Sequence, residues 1–170
     1  MLDMTKTIVK WMAVLGLCSL ASVWADDDGG VPAKTTAPAW KLSDLNGKPV
    51  SSDDFKGKVV VLDFWATWCP PCRAEIPSLI ALQQKYGAQG LQVIGISVDE
   101  GGADVVKPFV KKMGINYPVV LADEKVQRDF GGLDAIPVGL IIDREGRIVQ
   151  RHLGLTSQDD FEAEIKPLLH

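Results

Sequence analysis

The run Val59-Val60-Val61-Leu62-Asp63-Phe64-Trp65 leaves this chain few folds to choose from. It is apolar at almost every position and lacks the alternation of a half-exposed strand. Both of its faces must therefore be covered, as in the centre of a sheet flanked by helices. After the short link Ala66-Thr67-Trp68 the pattern turns helical from Cys69 to Tyr86. Ile76, Leu79, Ile80, Leu82 and Gln83 fall largely on one face, and Gly87 and Gly90 stop the helix. Leu91 to Val98 reads as a second buried strand and completes a βαβ unit.

The rest of the chain extends that unit. Ala39 to Asp44 and Lys48 to Ser51 flank Leu45-Asn46-Gly47, and Asn-Gly is a strong signal for a tight hairpin turn. Ser52 to Phe55 predicts a short helical turn ending at Gly57. Ala103 to Met113 predicts a helix that Pro108 interrupts or kinks. Tyr117 to Leu121 predicts a strand, and Glu124 to Phe130 a short helix closed by Gly131-Gly132. Val138 to Asp143 and Arg147 to His152 predict strands joined by the turn Arg144-Glu145-Gly146. A last helix, capped by Thr156 or Ser157, runs to about Leu168. The order is an α/β one: a mixed central sheet, helices on both faces, an N-terminal β-hairpin and a central α/β insertion.

The first residues stand apart. Lys6 and Lys10 precede the apolar stretch Trp11 to Ala21, and Asp26-Asp27-Asp28-Gly29-Gly30 ends it abruptly. Residues 1–25 are expected to be a signal peptide cut after Ala25. An uncleaved membrane anchor is the minority reading, because the stretch falls short of the roughly 20 residues a spanning helix needs. A lipoprotein reading through Cys18 is weaker, since Leu17 is bulky where a small residue belongs. Residues 26–38, rich in Asp, Gly, Pro, Ala and Thr, predict a flexible leader, and residues 39–170 one domain. The net charge of −4 and pI near 5.1 argue against a nucleic-acid partner, which needs a basic face.

Cleavage after Ala25 removes one of the 3 cysteines, Cys18, and leaves only Cys69 and Cys72. One close pair in an exported chain is not a disulfide scaffold, and the tiny loop it closes stabilises little. Its chemistry is that of a reacting pair. The attacking species in disulfide exchange is a thiolate. Cys69 falls at a helix start, where unpaired N–H groups and the helix dipole favour an anion. Cys72, one turn on, is placed to resolve the mixed disulfide. Pro70 suits a first helical position; the two prolines withhold donors from the sulfur, and Arg73 acts the other way. A zinc site needs two further Cys or His ligands, and only His152 and His170 exist, far along the chain. Covalent haem attachment needs His at position 73, which is Arg73.

The segment Asp63-Phe64-Trp65-Ala66-Thr67-Trp68-Cys69-Pro70-Pro71-Cys72 resembles the thioredoxin superfamily, and the chain over about residues 38–168 is most similar to its TlpA/ResA-like extracytoplasmic branch. Further motifs carry the likeness: Glu75-Ile76-Pro77, Ile136-Pro137, the run Leu140 to Ile148, and the extra segment Val105 to Val119. The resemblance implies a thioredoxin-like fold and thiol–disulfide exchange without a cofactor. It implies that Asp63 moves the proton of the resolving cysteine, against the alternative of a carboxylate at a solvated strand end. Glu75 is implied in active-site acid–base behaviour, against the alternative of a helpful acid in the first helical turn. Pro77 is implied to shape the helix, and Ile136-Pro137 to form a cis bond beside the cysteines. Trp68, Pro70, Pro71, Ile136 and Pro137 are implied to meet the substrate chain. Two features depart from the pattern: Val138-Gly139 replaces the usual Thr-Thr, and Asp63 stands where the ResA subgroup often has Asn.

The resemblance also implies exported proteins as substrates, a membrane-bound thiol–disulfide electron donor, a periplasmic location and a monomer. Reduction of disulfides is the first expectation. Oxidation or isomerisation is the same chemistry run otherwise, since direction follows reduction potential. A thiol peroxidase is disfavoured because Thr67-Trp68-Cys69 lacks the Thr-x-x-Cys spacing. A copper-handling role is disfavoured by the ligand spacing and the absence of a nearby His.

Overall fold

The structure, a computed structural model, describes residues 35–170. The expected signal peptide and the leader up to residue 34 lie outside the described residues. The strands are β1 (Thr35–Thr36), β2 (Lys41–Asp44), β3 (Pro49–Ser51), β4 (Val59–Trp65), β5 (Leu91–Ser97), β6 (Val119–Leu121), β7 (Val138–Ile142) and β8 (Arg147–Leu153). The helices are α1 (Pro70–Tyr86), α2 (Gly102–Met113), α3 (Glu124–Asp129) and α4 (Gln158–Ile165). The strands form one sheet in the order β1-β8-β7-β4-β5-β6-β2-β3.

β4 is central because its sequence permits nothing else. All its residues are buried. β5 runs parallel on one side, from Val59↔Leu91 to Trp65↔Ser97. β7 runs antiparallel on the other, from Val60↔Ile142 to Phe64↔Val138. Side chains alternate across the sheet. Val59, Val61 and Trp65 pack with Ile76, Leu79 and Leu82 of α1, Val106 of α2, and Phe161 and Ile165 of α4. Val60, Leu62 and Phe64 pack on the other face with Trp40, Val126 of α3 and Phe130. Burying each such side chain stabilises by about 2 kcal/mol, so one strand supplies a large share of the core. The mixed sheet with helices on both faces is the architecture expected.

Local chemistry explains the remaining boundaries. The hairpin β2–β3 turns where Asn46-Gly47 predicts. The Asp44 carboxylate accepts from the Asn46 and Lys48 N–H groups at 2.7 and 2.8 Å, and Gly47 takes φ +79°. Helix α2 continues through Pro108 to Met113, so the proline withholds one hydrogen bond rather than ending the helix. Ser157, not Thr156, caps α4 by accepting from the Asp160 N–H at 3.2 Å. The last helix gives way after Ile165 to a 3-10 turn over Lys166–Leu168. The expected leader is too long at its end. Thr35 and Thr36 pair with Ile148 and Arg147 of β8, and the Ala37 N–H donates to Gly146 O at 2.9 Å. An extended stretch with free backbone groups beside an open strand edge pairs there, whatever its composition.

Arg144, in the β7–β8 turn, ties down the end of the sheet opposite the cysteines. Its guanidinium donates to the carbonyls of Gly57, Gln89 and Leu169 at 2.9, 3.2 and 2.8 Å.

Candidate active site

At the carboxyl end of β4 the chain turns through Ala66-Thr67-Trp68, and the Cys69 N–H donates to Ala66 O at 3.2 Å. Cys69 is the N-cap of α1. Its Sγ accepts from the Cys72 N–H at 3.2 Å. Pro70 and Pro71 stand in the first helical positions, where their missing N–H groups have no intrahelical partner to lose. The Cys72 N–H therefore remains as a donor aimed at the sulfur. Cys69 and Cys72 are joined as a disulfide with Cα atoms 5.3 Å apart.

Both cysteines are buried. Cys69 is 2% exposed and Cys72 fully buried. Trp68 stands 66% exposed beside them, and Pro70 and Pro71 are also exposed. Ile136-Pro137 is cis, and Ile136 O lies 3.8 Å from Cys69 Sγ. Pro137 itself is buried, and Ile136 before it is half-buried. The Gly154 N–H donates to Pro137 O at 2.9 Å and locks the loop to the end of β8. The Arg73 guanidinium lies 6.0 Å from the centre of the Phe109 ring on α2.

Both predicted acids are inside the fold. Glu75 lies one turn beyond Cys72 on the buried side of α1 and is 1% exposed. Its Oε1 accepts from the Thr156 N–H at 2.7 Å, while its Oε2 has no partner among the described residues. Burial pushes the Glu75 carboxyl up to about 7, with the Thr156 N–H and the charge of His152 pulling part of the way back. Asp63 shares the α1-facing side of β4 with Val61 and Trp65. It is fully buried, and neither carboxylate oxygen has a partner among the described residues. Burial, and then the charge of Glu75, hold its proton well above the usual carboxylate range. Asp63 is thus not at a solvated strand end.

Two glycines flank Asp63 across the sheet, Gly95 on β5 and Gly139 on β7. A methyl group on Gly95 would lie 2.7 Å from Trp65 Nε1 and 3.4 Å from the Tyr117 ring. The glycine is what lets these two aromatics close over that position. Tyr117 is buried, its hydroxyl has no partner among the described residues, and burial followed by the charges of Asp63 and Glu75 keeps it protonated far above its ordinary range.

Three residues here escaped the sequence reading. Thr156 was one of two cap candidates; its N–H instead holds Glu75. Tyr117 was only a strand residue. Asp99 follows β5 and accepts from both the N–H and the hydroxyl of Thr67, at 3.0 and 2.6 Å. Its signal was available: a carboxylate at the carboxyl end of a parallel strand, where sites in α/β sheets collect. A cleft of about 470 Å³ at the far end of β4, lined by Trp40, Phe55, Val60, Ile94 and Ile142, includes neither cysteine.

The chain is similar to known proteins. The AhpC/TSA family model matches residues 33–151. The thiol-disulfide oxidoreductase ResA of Bacillus anthracis is 36% identical over 135 residues, spanning 78% of this chain and 76% of that one. ResA of Bacillus subtilis (strain 168) is 31% identical over 166 residues, spanning 96% and 92%. Among solved structures, a thiol:disulfide interchange protein of Chlorobium tepidum TLS matches with a TM-score of 0.74 at 36% identity, covering 82% of this chain and 99% of that one. A secreted thiol-disulfide isomerase of Corynebacterium glutamicum matches with a TM-score of 0.75 at 26% identity, covering 82% and 90%. The chain therefore belongs to the AhpC/TSA family, has its thioredoxin-like fold, and stands within it among the ResA-like thiol–disulfide oxidoreductases.

Proposed function

We propose that this chain reduces disulfides of exported proteins, with Cys69 as the attacking sulfur and Cys72 as the resolving one. The observation that carries the assignment is the asymmetry of the pair. Cys69 is the N-cap of α1, with the Cys72 N–H 3.2 Å from its sulfur, whereas Cys72 lies within the helix and is fully buried. A thiolate there is stabilised by that donor and by the helix dipole.

In the reductive direction the Cys69 thiolate attacks one sulfur of a substrate disulfide. The substrate S–S bond breaks, a mixed disulfide forms, and one substrate thiolate leaves. The Cys72 thiolate then attacks Cys69 Sγ, releases the second substrate thiolate and closes the Cys69–Cys72 bond seen in the structure. Two electrons pass to the substrate. For Cys72 to attack, its thiol must lose a proton in a place closed to water. Glu75, with its carboxyl poised near neutrality, is suited to take that proton and return it on re-reduction, and Asp63 can take it only after giving up the proton that burial holds on it. Trp68, Pro70, Pro71 and Ile136 form the rim against which a substrate chain lies, with Pro137 holding the loop in place.

The setting of this chemistry belongs to the same reading. The apolar stretch after Lys10 supports export to a periplasmic compartment, and no helix among the described residues is long and apolar enough to cross a membrane. A membrane-bound thiol–disulfide donor would supply the electrons to a monomeric protein.

Three measurements test the reading. Cys69→Ser abolishes reduction of insulin disulfides, and Cys72→Ser accumulates mixed disulfides; normal turnover by Cys72→Ser overturns the assigned roles. A reduction potential near about −270 mV supports a reductase, whereas one near about −120 mV makes the protein an oxidant. Rapid turnover of hydrogen peroxide alone would replace the reading with a peroxidase.

A further inference from the structure

We infer that Asp99 is a positioning residue for the reaction: its carboxylate clamps both polar groups of Thr67 and so fixes the turn that presents Trp68 and aims Cys69. The inference rests on Cys69 being the attacking sulfur. Asp99 Oδ1 accepts from Thr67 Oγ1 at 2.6 Å, and Oδ2 accepts from the Thr67 N–H at 3.0 Å. The Ser97 hydroxyl donates to Oδ2 at 2.9 Å and in turn accepts from the Asp99 N–H at 3.2 Å. Three donors thus converge on one carboxylate, and no cation lies within salt-bridge reach among the described residues. Ser97 is buried at the end of β5, so the clamp is anchored in the sheet.

The clamp acts where the chain has least other support. Trp65 is held by the Val98 N–H at 2.9 Å, and from Cys69 onward α1 holds itself through the bond from the Arg73 N–H to Cys69 O. Between them, the Asp99 bonds orient the Thr67 peptide. Thr67 is also the residue directly before Trp68, whose indole is thrust into solvent, and it shares one tight turn with Cys69, whose N–H reaches back to Ala66 O. Disulfide exchange needs the incoming sulfur, Cys69 Sγ and the departing sulfur nearly in line. A turn free to pivot would spread Cys69 over orientations that do not react, and misplacement of about 1 Å is enough to slow a reaction strongly. A carboxylate suits the task because bonds to an ionised acceptor are short and strong.

The test follows formation of the mixed disulfide between a disulfide-linked peptide and Cys69 in the Cys72→Ser background, under pseudo-first-order conditions. Thr67→Val keeps the β-branch and the N–H but deletes the hydroxyl, and Asp99→Asn keeps the shape but loses the charge. Each should slow attack about tenfold. Thr67→Ser, which restores the hydroxyl, should stay within about twofold. Because the two residues share one clamp, Thr67→Val combined with Asp99→Asn should be no slower than the slower single variant. Urea unfolding of each variant fixes the folded fraction, and rates are compared per folded molecule. Wild-type rates for Thr67→Val and Asp99→Asn, a Thr67→Ser variant as slow as Thr67→Val, or multiplicative losses in the double variant would each overturn the clamp. Cys69→Ser with Cys72 intact separates the two ideas. If it stays inert while the clamp variants are fast, only this inference fails; if it reacts at full rate, the role given to Cys69 fails.

Discussion

Replacing Glu75 with glutamine should make the protein more stable at pH 8 and leave it almost unchanged at pH 5. In the unfolded chain the carboxyl ionises near its ordinary 4.5, whereas burial holds it at about 7 in the folded protein. Between those values unfolding releases a proton, so each rise in pH favours the unfolded state. The stability linked to Glu75 is intact below about pH 4.5, falls as pH climbs towards 7, and is flat above. At 1.36 kcal/mol per pKa unit, the gap corresponds to about 3 kcal/mol. The loss is felt because ionised Glu75 has one oxygen bonded to the Thr156 N–H and the other without a partner among the described residues. Glutamine keeps the oxygen that accepts from Thr156 and cannot ionise.

Urea unfolding of the disulfide-intact protein, run in parallel at pH 5 and pH 8, reads this directly. Wild type should lose about 2–3 kcal/mol across the interval from Glu75 alone. Asp63, shifted in the same direction, deepens the slope. Glu75→Gln should flatten the curve and exceed wild type by about 3 kcal/mol at pH 8, while agreeing within about 1 kcal/mol at pH 5. Parallel slopes in the two proteins, or a variant weaker than wild type by the same amount at both pH values, would refute the argument that burial holds a proton on this carboxyl.

Other perturbations separate surface from core. Trp68→Ala removes an indole that is 66% exposed, so its unfolding free energy should stay within about 0.5 kcal/mol of wild type. If Trp68 meets the substrate, the same variant raises KM for a protein disulfide several-fold while a small disulfide reagent reacts as before. Gly95→Ala places a methyl 2.7 Å from Trp65 Nε1, and the indole cannot retreat freely because Phe109 lies 5.4 Å away, ring centre to ring centre. Thermal or urea unfolding should show a loss of about 1–3 kcal/mol; a neutral result would mean the aromatics over Asp63 are loosely packed.

How much of this was legible in the chain depends on the range of the interaction concerned. β4 and α1 were readable because a run buried on both faces and a helical stripe are written in consecutive residues. Cys69 and Cys72 were readable for the same reason, being one turn apart on one helix. What lay hidden depends on meetings between distant segments. Thr156 stands 81 residues from Glu75 and Asp99 stands 32 from Thr67, and no local pattern says which backbone amide or hydroxyl a carboxylate will find. Thr35 and Thr36 look like leader by composition, and only the open edge of β8 makes them a strand.

Asp63 shows how a single position can be both the anomaly and the signal. In a strand otherwise built for burial, a carboxylate costs free energy unless it is solvated, paired or protonated. The fold supplies no water-facing surface and, among the described residues, no bonded partner, and it sets glycines on both neighbouring strands at the same level. The remaining outcome is a carboxyl that keeps its proton, next to a second one shifted the same way one turn from Cys72. Two carboxyls held away from their normal ionisation by the core of a small domain tax its stability at neutral pH. Perturbed acids of this kind gather where protons move, and the sulfur chemistry proposed for Cys69 and Cys72 must move one.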